Sequence, residues 1–168
     1  MDNPFMCPIC LSKACVPPAG NTNSKVAIIG EFPGDEEIKK GRPMVGNTGK
    51  VLRAELGRCG IDLSRIRVGN LWLHAKNGSE NCLNYGAQQI ITDSVNREVI
   101  LLMGSDAVMY FTDKKVSDVS SLIVKSKYFS CIVFASINPA QAFHQGLGEL
   151  RLAITKFSDY IHKKGLLT

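Results

Sequence analysis

Short apolar runs alternate along the chain with longer segments whose apolar residues have helical spacing. Four runs have the length and composition of strands that are covered on both faces, and they span residues 25–30, 66–73, 97–104 and 130–139. The segments between these runs predict helices over residues 47–60, 83–95 and 105–112. The clearest helical pattern follows the last strand, where one face carries Leu147, Leu150, Ile154, Phe157 and Ile161.

Strands that alternate with helices favour a parallel sheet between two helical layers. We therefore predict an α/β protein, a three-layer α/β/α sandwich with a central, mainly parallel four-stranded sheet. We expect residues 1–168 to form a single domain. Within it, residues 1–24 predict an irregular arm, because they hold three cysteines, "VPPAG" and "NTNS" with little periodicity.

Composition adds modest constraints on location and partners. The chain has neither a long apolar run nor the charged-then-apolar start of a signal peptide. We therefore expect a monomer without membrane association, located in the cytoplasm or at the nucleoid. The formal net charge of +5 favours an anionic partner, although many soluble proteins carry as much.

Three segments with unusual chemistry leave the carboxyl ends of the predicted strands. They are "GEFPGDEE" after the first strand, "GNLWLHAKN" around the second and "SINPAQAFHQG" after the fourth. Ligands of open parallel sheets bind at these ends. The sequence therefore predicts one pocket built from Glu31, Asn70 and Asn138.

The arm contains a metal-binding pattern, "CPIC", in which two residues separate Cys7 from Cys10. That spacing allows two thiolates to reach one ion from a turn. We therefore favour metal ligation over disulfides.

The order "GEFPGDEE…GRPMVGNTGKVLRAELGRCGID", "GNLWLH" and "ILLMGSDA" resembles the uracil-DNA glycosylase superfamily. The similarity is greatest to the family-4 branch, which carries an iron–sulfur cluster, and it runs from about Cys7 to the "SINPA" loop. The first block is the specific one, since a Gly-Glu-x-Pro-Gly loop followed by Gly-x-Pro-x-Val-Gly-x-x-Gly rarely arises by chance. The resemblance implies an enzyme that flips a damaged base out of DNA and cleaves its N-glycosidic bond.

The resemblance also implies roles for individual residues. Glu31 would stabilise the oxocarbenium-like sugar and orient a water, with Asp35 and Glu36 as substitute carboxylates. Asn70 would read the uracil edge, because an amide offers both a donor and an acceptor. The remaining base-binding positions would be Gly30, Phe32, Pro33, Gly34 and Met44.

Two positions of the pocket depart from the family pattern. Met44 stands where the family has a phenylalanine that stacks on the flipped base, and methionine gives a less defined platform. Asn138 stands where family 4 has a histidine. Its amide can donate a hydrogen bond to the leaving base, but it cannot carry charge.

The metal site departs as well. Cys7 and Cys10 match the first two ligands, His74 replaces the third cysteine, and Cys82 fits the fourth position. Cys15 is an alternative to His74 that would restore four thiolates. A [4Fe–4S] cluster is the predicted cofactor and zinc the alternative, since three thiolates and an imidazole suit both. Its role would be structural.

Contact with DNA is expected from two further groups of residues. Basic side chains flank the acidic loop, and the loop after the fourth strand would enter the duplex, with Phe143 either intercalating or packing in the core. The residues are Lys39, Lys40, Arg42 and Lys50 in the first group and Gln141, Phe143 and His144 in the second.

Two functions are compatible with the sequence. The first is a monofunctional glycosylase that excises uracil, or a related deaminated or modified pyrimidine, from DNA. The second is a catalytically degenerate glycosylase fold that acts as a DNA-binding or repair accessory module. The intact Gly-Glu-x-Pro-Gly loop and Asn70 favour the enzyme, whereas Met44 and Asn138 favour the accessory module.

Overall fold

A computed structural model describes residues 6–167 and contains a central five-stranded sheet. The strands are β1 (Ala19–Gly20), β2 (Val26–Gly30), β3 (Arg67–Asn70), β4 (Val99–Met103) and β5 (Ile132–Ser136). Their order in the sheet is β1-β3-β2-β4-β5. The last four pair in parallel, and only β1 runs antiparallel, along the outer side of β3.

Helices connect these strands. They are α1 (Asp35–Lys40), α2 (Asn47–Arg58), α3 (Glu80–Asp93), α4 (Ser105–Thr112), α5 (Val116–Val119), α6 (Ala142–Gln145) and α7 (Gly148–Lys164). Short 3-10 helices span Leu63–Arg65 and Pro139–Gln141. No helix within residues 6–167 has the length and apolarity needed to cross a membrane.

Both faces of the sheet are covered, because every residue of β2 and β4 is buried. Helices α2 and α7 pack against each other, while α4 and α5 form a second packed pair. The predicted apolar stripe of α7 is buried against β5, where Phe157 meets Phe134 edge to face at 5.8 Å between ring centroids. The predicted α/β sandwich with a mainly parallel sheet is therefore confirmed.

The structure adds elements that the apolar pattern does not predict. Strand β1 comes from the predicted arm and extends the sheet from four strands to five. Next to it, the Val16 N–H donates to the Leu73 carbonyl at 2.6 Å. Helix α1, "DEEIKK", has no apolar stripe, but its acids lie in the first turn and its lysines in the last. This arrangement complements the helix dipole.

Parallel pairing places the ends of the strands at one edge. Gly30 at the end of β2 pairs with Asn70 at the end of β3, and Met103 of β4 pairs with Ser136 of β5. The segments that leave these four strands therefore begin side by side, although they are far apart in the sequence.

Gly49, in the first turns of α2, is required by a close backbone contact. A Cβ at this position would lie 2.0 Å from the Met44 carbonyl oxygen. The exposed Gly57 of the same helix has open space in that direction. Helix α2 can therefore pack under the preceding loop only if residue 49 has no side chain.

We expect Gly49→Ala to lower the free energy of unfolding by about 1–3 kcal/mol, the usual cost of overpacking. Gly57→Ala is the matched control and should raise it by up to about 1 kcal/mol, because alanine favours helix. Urea denaturation followed by circular dichroism measures both. Equal effects of the two substitutions would contradict the packing argument.

Candidate active site and metal centre

A cavity of about 170 Å³ lies at the carboxyl edge of the sheet. Glu31, Asn70 and Asn138 all line it, although they lie at or just after the ends of three different strands. Four other residues that the sequence predicted for the base also line the cavity, namely Gly30, Phe32, Gly34 and Met44. Pro33 is buried but is not a lining residue.

The carboxylate of Glu31 is held by two donors. Its Oε1 accepts a hydrogen bond from Asn138 Nδ2 at 3.0 Å, and its Oε2 accepts one from the Asp106 N–H at 3.2 Å. The Asp106 N–H lies in the first turn of α4, where unpaired backbone donors and the helix dipole favour negative charge. The side chain is thus fixed at the wall of the cavity.

Gly104 makes this position of the carboxylate possible. It precedes α4 with a φ of 103°, a conformation that residues with side chains rarely adopt. A Cβ at residue 104 would lie 2.0 Å from Glu31 Oε1. Absence of a side chain at this position therefore leaves the space that the carboxylate occupies.

Asn138 begins the 3-10 helix Pro139–Gln141 as its N-cap. Its Oδ1 accepts from the Ala140 N–H at 2.8 Å, and the Gln141 side chain accepts from the Asn138 N–H at 3.2 Å. This capping box turns the Asn138 amide nitrogen toward Glu31. The side chain of Gln141, which is predicted to contact DNA, is half-buried and closes the capping box through its oxygen.

Asn70 places a polar side chain in the wall of the cavity. The residue is 4% exposed at the end of β3, and its side chain forms no hydrogen bond with any residue in the described part of the chain. Because Asn70 lines the cavity, a ligand there can satisfy both its donor and its acceptor.

Met44 forms part of the same wall. It is buried with a φ of 58°, an uncommon conformation for a residue other than glycine. Its Cε and the Asn70 Oδ1 both lie within 3 Å of the position that a Cβ at Gly30 would take. The thioether therefore presents a soft apolar surface beside the amide of Asn70.

Five lining residues were not predicted as site residues: Glu37, Thr48, Met103, Pro139 and Ala140. Glu37 is buried in α1, and its Oε1 accepts from the Gly46 N–H at 2.9 Å, which ties α1 to the start of α2. Asp35 and Glu36, the substitute carboxylates, are exposed in the first turn of α1 and do not line the cavity. Nothing in the run "DEEIKK" distinguishes the buried acid from its neighbours.

Lys76 connects the loop between β3 and α3 to the helix terminus that holds Glu31. Its Nζ lies 2.6 Å from Asp106 Oδ2, and this hydrogen bond raises the pKa of Lys76 above its ordinary value. Asp106 donates its own N–H to Glu31. The loop that contains Lys76 therefore supports the helix terminus that holds the carboxylate.

The residues predicted to contact DNA lie mostly at the surface. Lys39, Lys40, Arg42, Lys50 and His144 are exposed. Lys39 and Lys40 each lie 3.8 Å from the Glu36 carboxylate, and such exposed pairs are weak. Phe143 on α6 is 62% exposed, so it does not pack in the core. It follows the Pro139–Gln141 segment that borders the cavity.

A second cluster of functional groups lies at the arm. The ligand atoms of Cys7, Cys10, His74 and Cys82 all lie within 4.8 Å of one another. Cys7 Sγ is 3.9 Å from Cys82 Sγ, and Cys10 Sγ is 3.4 Å from His74 Nε2. The group can bind a metal. Cys15, the alternative ligand, lies outside it and donates its thiol to the Ser12 carbonyl at 3.5 Å.

Local contacts prepare two of these side chains for ligation. His74 Nδ1 lies 2.8 Å from the Ala75 carbonyl oxygen, so Nδ1 carries the proton and Nε2 faces Cys10 as a ligand. Burial raises the pKa of the Cys82 thiol, but hydrogen bonds from Ser79 and Asn77 help to outweigh burial and lower the pKa to about 6. Such a thiol is mostly thiolate at neutral pH.

The sequence of the chain is similar to those of several proteins of known function. The Type-4 uracil-DNA glycosylase of Thermotoga maritima is 32% identical over 121 residues, which cover 66% of this chain and 62% of the relative. Proteins of the same name from Saccharolobus solfataricus and Pyrobaculum aerophilum are 26% and 30% identical. Those two matches cover 79% and 70% of this chain, and 68% and 63% of the relatives.

The chain thus spans about two thirds of the length of the curated relatives that it matches. The family model for the uracil DNA glycosylase superfamily matches residues 17–160. This range includes all five strands and every residue that lines the cavity. The chain therefore belongs to the uracil DNA glycosylase superfamily.

Proposed function

We propose that this protein is a DNA glycosylase that flips uracil, or a related deaminated or modified pyrimidine, out of DNA and hydrolyses its N-glycosidic bond. The observation that carries this proposal is that a fixed carboxylate, Glu31, and the side-chain amide of Asn70 line the same cavity. The Glu31 carboxylate can stabilise a developing positive charge, and the Asn70 amide can form hydrogen bonds with the edge of a planar base. Family membership and relatives named Type-4 uracil-DNA glycosylase support the same activity.

Glu31 acts on the sugar. As the glycosidic bond breaks, the sugar gains oxocarbenium character, which a nearby carboxylate stabilises, and the same group orients the attacking water. The Asp106 N–H and the Asn138 amide preorganise this carboxylate. Little reorganisation is then needed during the reaction.

Asn70 reads the base. Its Nδ2 donates to uracil O4 and its Oδ1 accepts from uracil N3–H, so both unsatisfied groups of the amide gain partners. Met44 packs against the base face. The apolar contact is less rigid than aromatic stacking, so selection among pyrimidines depends mainly on the amide.

Asn138 acts in part through Glu31. One N–H of its amide is given to the carboxylate, and its oxygen is held by the Ala140 N–H. The second amide hydrogen remains to donate to the leaving base. A neutral donor is weaker than a charged histidine, so we expect slower excision than a histidine at this position would support.

Phosphate contacts come from Lys39, Lys40, Arg42 and Lys50, which are exposed on α1, on the segment after it and on α2. Phe143, exposed beside the cavity, wedges into the duplex as the base leaves the stack. His144 is exposed on the same short helix and contacts the DNA backbone there.

The metal centre has a structural role in this proposal. Two of its ligands come from the arm, His74 comes from the segment between β3 and α3, and Cys82 comes from the first turn of α3. The resemblance implies a [4Fe–4S] cluster there, and zinc is the alternative for the same ligands. Either would fasten the arm to the sheet without taking part in excision.

We expect Glu31→Gln to slow excision ~100-fold or more, because the neutral amide removes the charge that stabilises the transition state. The assay is alkaline cleavage of a single-stranded oligonucleotide after uracil removal. Glu98→Gln is the isosteric control, since Glu98 pairs with Lys25 just before β4, at the opposite end of the strands. It should retain wild-type activity.

Equal rates for Glu31→Gln and the wild type would remove Glu31 from the mechanism. If the wild type binds DNA but excises no deaminated base, the enzyme proposal fails and the accessory-module function is supported.

We expect Asn70→Asp to lose uracil excision by ~100-fold or more at neutral pH. A carboxylate cannot donate to uracil O4, and a site with an unpaired polar group discriminates strongly. Single-turnover rates measure the effect. Asn84→Asp is the control, because Asn84 contacts the Tyr110 hydroxyl outside the cavity. Unchanged excision by Asn70→Asp would exclude base reading by this residue.

We expect Phe143→Ala to slow excision from double-stranded DNA by about tenfold and from single-stranded DNA far less, since only the duplex must be wedged open. The ratio of the two rates is the measurement. Val95→Ala is the control, because Val95 is also an exposed apolar side chain but precedes β4 at the other end of the sheet. An equal loss on both substrates would contradict the wedge.

A further inference from the structure

We propose that Cys7, Cys10, His74 and Cys82 hold a single tetrahedral zinc ion instead of the iron–sulfur cluster that the resemblance to family 4 implies. The proposal concerns the ligand set alone and does not depend on the proposed excision activity. It rests on the separations of the four ligand atoms, on the replacement of one thiolate by an imidazole, and on the position of Cys15.

The separations match one ion. A tetrahedral zinc with Zn–S bonds of about 2.3 Å places two thiolate sulfurs about 3.8 Å apart. With a Zn–N bond of about 2.0–2.1 Å, a sulfur and an imidazole nitrogen lie about 3.6 Å apart. The Cys7–Cys82 separation is 3.9 Å and the Cys10–His74 separation is 3.4 Å.

The same separations do not fit a [4Fe–4S] cluster. In such a cluster each protein ligand binds a different iron, so the four ligand atoms surround a core of eight iron and sulfide atoms. Ligand atoms that all lie within 4.8 Å of one another leave no room for that core. The cluster would require the arm and the loop after β3 to move apart.

The histidine supports the same assignment. Its Nδ1–H is donated to the Ala75 carbonyl, so Nε2 is the ring nitrogen that faces the group. Imidazole with thiolates in tetrahedral arrangement is a common zinc site. The Cys82 sulfur also receives a hydrogen bond from the Asn77 amide at 3.6 Å, as expected of a bound thiolate.

Cys15 does not complete a four-thiolate set. Its Sγ contacts the Ser12 carbonyl and is not one of the atoms within 4.8 Å of the others. Four protein ligands already close the tetrahedron, so no position remains open for water, which is typical of a structural zinc site. The ion therefore joins Cys7 and Cys82, which are 75 residues apart in the chain.

The test is metal analysis of the whole chain, expressed in medium supplemented with both iron and zinc and purified without oxygen. We expect about one zinc per chain, no acid-labile sulfide, and a colourless protein. About four irons with matching sulfide and a brown colour would overturn the proposal. A metal-free protein would overturn it equally.

Variants test the ligands. Cys15→Ser should keep one zinc per chain, whereas Cys82→Ser should lose it; loss of zinc from Cys15→Ser would overturn the ligand assignment. Because Cys82→Ser can also fail to fold, a second measurement uses His74→Cys, which keeps four ligands. With cobalt in place of zinc, the wild type should show the strong visible bands of a tetrahedral site, and His74→Cys should shift them to longer wavelength. An unshifted spectrum would exclude His74.

Discussion

Parallel pairing of four buried strands is the constraint on which the site depends. These four strands run in the same direction, so their carboxyl ends lie at one edge of the sheet. Residues at or after the ends of β2, β3, β4 and β5 therefore lie close together, whatever their distance along the chain. Glu31 and Asn138 are 107 residues apart, yet their side chains share a hydrogen bond of 3.0 Å. The register of β2 with β3 places Gly30 directly beside Asn70, where a side chain on residue 30 would collide with the amide.

The departures from the family pattern become understandable at this edge. An asparagine at position 138 serves two neighbours at once, because its oxygen caps a 3-10 helix while its nitrogen holds Glu31. In the proposed excision, a charged histidine would donate a stronger hydrogen bond to the leaving base. The asparagine amide instead holds the Glu31 carboxylate in one position. The changes at Met44 and Asn138 therefore leave both hydrogen bonds to the Glu31 carboxylate in place.

Much of this arrangement could be predicted from the sequence. Apolar runs bounded by glycine located the four main strands, and the rule that ligands bind at strand ends led to Glu31, Asn70 and Asn138. The "CPIC" spacing led to Cys7 and Cys10, and the resemblance to family 4 led to His74 and Cys82. Elements of weak local pattern could not be found in this way. Strand β1 is two residues long and exists because the edge of β3 lies beside it. The buried carboxylate of Glu37 accepts a hydrogen bond from the Gly46 N–H, and no local sequence pattern predicts this contact.

The proline that follows Asn138 also affects how readily this asparagine deamidates. Asparagine side chains deamidate when the following backbone nitrogen attacks the amide, and proline has no N–H with which to do so. Conversion of Asn138 to aspartate would set two carboxylates against each other at 3.0 Å and expel one from the cavity wall. Asn77, whose amide contacts the Cys82 sulfur, is followed by Gly78 and has no such protection. Asn77 should therefore deamidate long before Asn138 does.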